Sequence, residues 1–328
     1  MIARTPIAAG AVWGAAEMRD ATAWTHALGP DEVDAVLAAV THARSVGLDR
    51  GSLTRDAFPL GPFAARVTAW AQELARGRGF VLVRGFPVGE LAPDDIELAY
   101  VGLGLHLGVP VSQDAAGTTL GHVVDERVER TGPEVRLYRT RERQDFHTDG
   151  ADIIGLLCLH GAKSGGESRI VSAAAVYNEL LRRDPALVDT LYAPIPWDRN
   201  GEESPGEAPF YELPVLSDVD GRPRFFYIGW YIRDAQRHAD APCLTEAQRA
   251  AMTEIETIAN DPAFHVEMDF RPGDIQWLNN SVILHSREAY EDDPDPGRRR
   301  HLLRLWLRAH DFAAVEDALR GGIPTRSA

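Results

Sequence analysis

Two hydrophobic rhythms divide the chain. In PDEVDAVLAAVTHARSVG, residues 30–47, apolar positions recur at helical spacing between an opening Pro-Asp-Glu and a closing Gly47, which predicts a helix. Residues 61–79 repeat that pattern, FVLVRGF at 80–86 reads as a strand, and 93–108 reads as another helix. Residues 1–108 are therefore expected to form a mainly helical N-terminal part. From about residue 109 the apolar runs become short and are separated by Gly, Pro and Asp, which suits a β core with inserted loops. Residues 173–191 and 244–260 read as helices inserted into that core or packed on it, and 196–222, rich in Pro, Glu and Gly, is a candidate lid loop. There is no internal repeat and no low-complexity segment. One domain spanning residues 1–328 is expected.

The last apolar run alternates strictly. Arg300, Leu302, Arg304, Trp306 and Arg308 fall on one face of a strand, and His301, Leu303, Leu305 and Leu307 on the other. The leucine face belongs in a core. Periodicity alone makes the arginine face an ordinary solvated edge, with a polar cavity as the alternative.

Composition narrows the partners. A hydrophobic fraction of 45% over 328 residues is enough for a sizeable core. Lys+Arg 34 against Asp+Glu 49 leaves a net charge of −15, which disfavours nucleic acid or an anionic membrane as partner. A small-molecule ligand is expected, and a homo-oligomer is left open. Cys158 and Cys243 are too few for a disulfide framework, and Cys158 lies in an apolar run as a buried thiol would. The first residues, MIARTPIAAGAVWGAAEM, make a poor signal peptide, and no apolar stretch is long enough to span a bilayer, so the cytoplasm is the expected location.

The chemistry concentrates in QDFHTDG, where His147 and Asp149, two residues apart on a strand, point the same way. That pair alone is weak, because TDG is also a good turn sequence in which Asp149 would bond the following backbone. Its companions strengthen it: Gly165 to Ser168, then Gly273 and Asp274, then His285, then GRRRHLLRLWLR at 297–308. Among the distal histidines, His265 precedes the Gly-Asp turn, His301 faces away from Arg300, and His310 lies beyond the strand. His285 ends the apolar run after the turn and is the choice. Two histidines and a carboxylate on one side of an octahedral ion leave three positions open. His106 and His122 read as structural or surface residues, although His122 is spaced to come near a substrate.

This order and spacing resemble the taurine dioxygenase and 2,4-dichlorophenoxyacetate dioxygenase family of Fe(II)/2-oxoglutarate enzymes, from GRGFVLVRGF at 77–86 to LRLWLR at 303–308. The resemblance implies a mostly β fold with flanking helices around a double-stranded β-helix (jelly-roll) core. It implies Fe(II) on His147, Asp149 and His285, with 2-oxoglutarate and O2 as cosubstrates. Ser168 stands where the family usually has Thr, and keeps the hydroxyl that would hold 2-oxoglutarate. Arg300 would take its far carboxylate as a two-pronged ion pair. Arg304, four residues on and on the same face, is a candidate anchor for an anionic substrate group. A carboxylate at position 149 argues for hydroxylation, desaturation or cyclisation over halogenation, since related halogenases keep that position small. The substrate expected is a small anionic or amino-acid-like metabolite. Two readings compete: a cupin-type metal enzyme without 2-oxoglutarate, which has no need of Arg300, and a non-catalytic small-acid-binding relative, which has no need of three ligands. Asn279 and Asn280 are candidates for steadying the ligands or for a solvated bulge. The aromatic cluster in residues 225–231 would wall a pocket or fill core.

Overall fold

The computed structural model describes residues 4–312 apart from 9, 115, 129–131, 133–134, 220–221 and 311. Helices α1 (Pro30–Ser45), α2 (Phe63–Arg76) and α3 (Pro93–Gly104) form where the apolar spacing predicts them. In α1, Pro30 sits in the first turn and the Glu32 carboxylate reaches back to accept the Gly29 N–H at 3.0 Å. The run 173–191 differs from expectation, because it forms two helices, α4 (Ala173–Arg183) and α5 (Pro185–Leu191). Pro185 disfavours helical backbone at Asp184, which is extended at φ −153° and caps α5 by accepting the Ala186 N–H at 2.9 Å. Helices α6 (Gly229–Ala235) and α7 (Glu246–Asn260) follow, the latter opened by reciprocal Thr245 and Gln248 hydrogen bonds.

Seven strands form the large mixed sheet: β1 (Thr25–Ala27), β2 (Phe80–Arg84), β3 (Gly108–Pro110), β4 (Leu120–Val123), β6 (Ile153–His160), β14 (Ile275–Asn279) and β17 (His301–Ala309). Their order is β1-β2-β14-β6-β17-β3, with β4 also on β17, and only β1 and β2 run parallel. A four-stranded antiparallel sheet holds β5 (Gln144–His147), β8 (Ser168–Ser172), β13 (His265–Met268) and β15 (Ile283–Arg287), in the order β13-β8-β15-β5. Three antiparallel two-stranded pairs complete the set: β7 (Ser164–Gly165) with the distant β16 (Tyr290–Glu291), and the consecutive pairs β9 (Ile195–Asp198) with β10 (Phe210–Leu213) and β11 (Leu216–Val219) with β12 (Arg222–Phe225). The candidate lid 196–222 is thus mostly two hairpins.

Alternation along the strands sets the layers. On β17, Leu303, Leu305 and Leu307 pack with Ile275, Trp277, Val81 and Val83 against α1, α2 and α3, so the leucine face is the core face as predicted. The opposite faces of the two sheets meet through Phe80, Leu82, Ile154, Leu278 and Trp306 from the large one and Ile170, Met268 and Ile283 from the small one. The outer face of the small sheet, Phe146, Val171 and Leu284, packs on α4, α5 and α7. Each buried leucine contributes roughly 2 kcal/mol. The arginine face of β17 therefore looks into the space between the sheets, and the solvated edge expected from periodicity is overturned: Arg300 and Arg304 are buried, and Arg308 alone is exposed. Among the described residues, no helix is long and apolar enough to cross a membrane.

Candidate metal centre

The apolar run before His285 is two strands rather than one. β14 belongs to the large sheet, and the chain turns at residues 280–282 to enter β15 in the small one. In β15, His285 stands directly opposite His147 of β5, so cross-strand pairing puts both imidazoles on the inner face with ring centroids 4.2 Å apart. Asp149 lies just past β5. Its backbone is clamped by Asn280, which accepts the Asp149 N–H at 3.1 Å and donates to the carbonyls of Asp149 and Ala151, both at 2.9 Å. One nitrogen from each imidazole and one Asp149 oxygen lie within 4.8 Å of one another. Asp149 Oδ1 is 3.8 Å from His147 Nε2, and Oδ2 is 3.8 Å from His285 Nε2.

The surroundings set the protonation states a cation needs. His147 Nδ1 is 2.8 Å from the Asp145 carbonyl, which only accepts, so Nδ1 carries the proton and Nε2 keeps its lone pair. Burial, more than any neighbour, lowers the His147 pKa and pushes that of His285 down to about 3. Burial alone would raise the Asp149 carboxyl, but Arg304, both histidines and the Trp306 N–H together hold it below the usual carboxylate range. Two neutral imidazoles and a carboxylate are the forms that bind a divalent ion.

The cavity beside these donors has two wings. One is walled by Ser168, Ser286, Arg287, Arg300 and Leu302, the other by Arg136, Tyr138, Phe226, Trp230 and Tyr231, and Arg304 borders both. Ser168 donates to Gln276 Oε1 at 3.2 Å. Arg300 is buried with its guanidinium 5.1 Å from the Tyr290 ring centroid, and its Nη1 has no hydrogen-bond partner. The Gly165-Gly166 turn lets it in: Gly166 has φ +78°, and a Cβ there would meet Arg300 Nε at 3.2 Å. Arg304 donates to Gln113 Oε1 at 2.8 Å and lies 3.5 Å from Asp149 Oδ2.

His147, Asp149, His285, Ser168, Arg300 and Arg304 therefore come together, but His122 does not. It is exposed, 2.8 Å from His301 Nε2 and 3.5 Å from Glu97, because its strand pairs with β17 at the sheet's outer margin. Of the two asparagines, Asn280 steadies Asp149, whereas Asn279 donates to the Leu74 carbonyl and secures α2. The aromatic cluster splits: Phe226, Trp230 and Tyr231 face the cavity, and Phe225 and Tyr227 are core. Sequence reasoning missed Arg287, Arg136 and Gln113. Arg287, two residues after His285 on the same strand, had a readable direction but no readable partner across the sheet. Arg136, ion-paired with Glu202 of the hairpin segment, carried none.

A family model described as taurine catabolism dioxygenase TauD, TfdA family matches residues 51–306. FR-33289 synthase of Streptomyces rubellomurinus is 33% identical over 313 residues, 94% of this chain and 92% of that protein. Taurine hydroxylase-like protein SAT17 of Stachybotrys chartarum is 29% identical over 84% of this chain and 72% of its own. Among solved structures, asparagine oxygenase in complex with Fe(II), 2S,3S-3-hydroxyasparagine and succinate has a TM-score of 0.67 at 18% identity, over 87% of this chain and 93% of that one. Non-heme iron oxygenase OrfP in complex with Fe and alpha-ketoglutaric acid has a TM-score of 0.64 at 17% identity, over 87% and 94%. These last two likenesses are of fold.

Proposed function

The chain belongs to the TauD, TfdA family and is an Fe(II)- and 2-oxoglutarate-dependent oxygenase, and from that premise we propose which of its residues do the work and on what. His147, Asp149 and His285 hold Fe(II). Ser168 and Arg300 hold the far carboxylate of 2-oxoglutarate, and Arg304 anchors an anionic group of the substrate. The observation that carries this reading is the convergence, in one cavity, of three deprotonated donors and a buried guanidinium whose Nη1 has no partner.

Bound there, Fe(II) with O2 supplies the oxidant that turns a substrate C–H into C–OH while 2-oxoglutarate becomes succinate and CO2. The protein's own part is positioning and exclusion. The Asp145 carbonyl fixes the His147 tautomer, Trp306 and Arg304 orient the Asp149 carboxylate, and Asn280 fixes the turn that presents it. A buried cation without a carboxylate partner is costly, so Arg300 favours an anion beside it and rejects neutral acids. Trp230, with its ring centroid 4.9 Å from that of His147, and Tyr231 close the substrate wing and keep water out.

The substrate is a small anionic or amino-acid-like metabolite: the Arg304 guanidinium borders a wing whose walls include Tyr138, Phe226, Trp230 and Tyr231, and two proteins of similar fold were solved with hydroxylated amino acids. The facing sheets are the two halves of a double-stranded β-helix within one domain. The β9–β12 hairpins, whose Asn200 and Tyr211 border the substrate wing, act as its lid. The test is an anaerobic titration of metal-free protein with Fe(II), then 2-oxoglutarate, following the weak visible band of the chelate. A saturable band, lost in Arg300→Ala with iron retained, is expected. Bound iron with no band in the unaltered protein would overturn the 2-oxoglutarate assignment of these residues.

A further inference from the structure

Arg287 has no role in the reading above, and it is placed as if it should. On β15 it lies two residues beyond His285, and the β15–β8 register sets it directly opposite Ser168. Both side chains therefore project from the inner face into the wing that Arg300 enters from the other sheet. The guanidinium carbons of Arg287 and Arg300 lie 5.0 Å and 5.1 Å from the centroid of the same Tyr290 ring.

We infer that Arg287 is a second guanidinium for the far carboxylate of the cosubstrate, acting beside Arg300 and Ser168, and that it sets the preference for 2-oxo diacids over 2-oxo monoacids. The inference rests on the assignment of Arg300 and Ser168 to that carboxylate. Arg287 is 6% exposed, and of its donors only Nη2 is engaged, by the Glu142 carbonyl, while Nε and Nη1 have no partner. Among the described residues, no carboxylate forms an ion pair with Arg287 or Arg300. An arginine retained for packing alone would have its donors met by carbonyls or a carboxylate. A pair of buried guanidinium groups facing one cavity is stable only with negative charge between or beside them. A carboxylate has about four lone-pair sites, enough for the Ser168 hydroxyl and for one N–H from each arginine.

The test uses the Fe(II)-loaded protein under anaerobic conditions and reads dissociation constants from the visible chelate band, not from turnover. Two ligands are titrated: 2-oxoglutarate, and 2-oxobutanoate, which offers the same chelating end and lacks the far carboxylate. Arg287→Gln, which keeps the length and some donors but not the charge, should raise the dissociation constant for 2-oxoglutarate about tenfold. The value for 2-oxobutanoate should stay within about twofold, and Arg287→Lys should restore part of the loss. Equal weakening of both ligands would mean a disturbed site and would overturn the inference. If Arg287→Gln changes neither while Arg300→Gln weakens 2-oxoglutarate alone, the inference fails and the Arg300 assignment stands. If neither variant affects 2-oxoglutarate, the Arg300 assignment itself falls. Should Arg287→Gln not fold, Arg287→Lys decides, because retained charge with a lost fork still predicts a loss confined to the diacid.

Discussion

Trp306 donates its indole N–H to Asp149 Oδ2 at 3.1 Å, reaching from the large sheet to a turn that follows a strand of the small one. The bond holds the carboxylate in one rotamer. Trp306→Phe keeps most of the packing and removes the donor, so iron affinity should fall about tenfold. Stability should drop by roughly 1–2 kcal/mol from the lost bond and ring volume. Equilibrium iron titration beside a denaturant curve separates the two effects. Unaltered iron affinity would show that the carboxylate does not need this bond.

His147→Ala and His285→Ala should each abolish stoichiometric iron binding while the fold persists. Both imidazoles are held neutral by burial, so removing one leaves no uncompensated charge behind. Metal content after loading, with circular dichroism as the check on folding, measures this. Normal turnover by either variant would sink the triad.

Arg304 borders both the substrate wing and the Asp149 carboxylate. Arg304→Lys keeps positive charge near Asp149 but loses the fork and the hydrogen bond to Gln113. The substrate KM should rise about tenfold with iron affinity within about threefold. Substrate kinetics left unchanged would remove Arg304 from the substrate wing.

Gly155 sits in β6 under two large rings, where a Cβ would come within 2.3 Å of both Trp277 Cζ3 and Tyr100 Oη. Gly155→Ala should destabilise by about 1–3 kcal/mol through overpacking, on the side of the sheet away from the metal donors. Urea unfolding should show the loss, with the specific activity of the folded fraction preserved.

His301 shares a hydrogen bond with His122 at 2.8 Å, and burial followed by its histidine neighbours pushes its pKa down to about 4. The folded state therefore binds fewer protons at His301 than the unfolded one between about pH 6.5 and 4, so His301 costs stability as pH falls through that window. His301→Gln should flatten the decline. Melting temperatures at pH 7 and pH 5 test this, and an equal fall in both proteins would refute it.

The parts of the site that share one strand were legible, because a period of two fixes which side chains agree in direction. His147 at the end of β5 with Asp149 just past it, and Arg304 on β17 with Arg300 just before it, follow the same period. What periodicity left open was what each face meets. It made the arginines of β17 a solvated edge, since nothing local says that a second sheet covers them. Arg287 was overlooked for the same reason: its importance comes from standing opposite Ser168, some 120 residues away in the chain, and register is a tertiary fact. The positions of α1, α2, α3 and α7 were readable within a few residues, whereas α6 was read only as part of an aromatic cluster. The Asp184-Pro185 break was visible as a Pro-plus-cap signal but was overridden by the longer apolar rhythm of 173–191. Asn279 and Asn280 are adjacent and identical in type, and only the turn between the sheets decides which one meets Asp149 and which meets α2.

β17 is the last strand of the described fold in chain order, and it lies inside the large sheet between β6 and the β3 and β4 strands. It also brings Arg304 and Trp306 to the metal donors, with Arg300 just before it. A chain emerging from the ribosome thus makes all three proposed iron ligands before it owns the strand that orients one of them. Until residue 309 has cleared the exit tunnel, β6 is an unpaired edge of the sheet and β3 and β4 lack their partner strand, which exposes apolar edges to other chains. Chains cut short before β17 should therefore aggregate rather than bind metal.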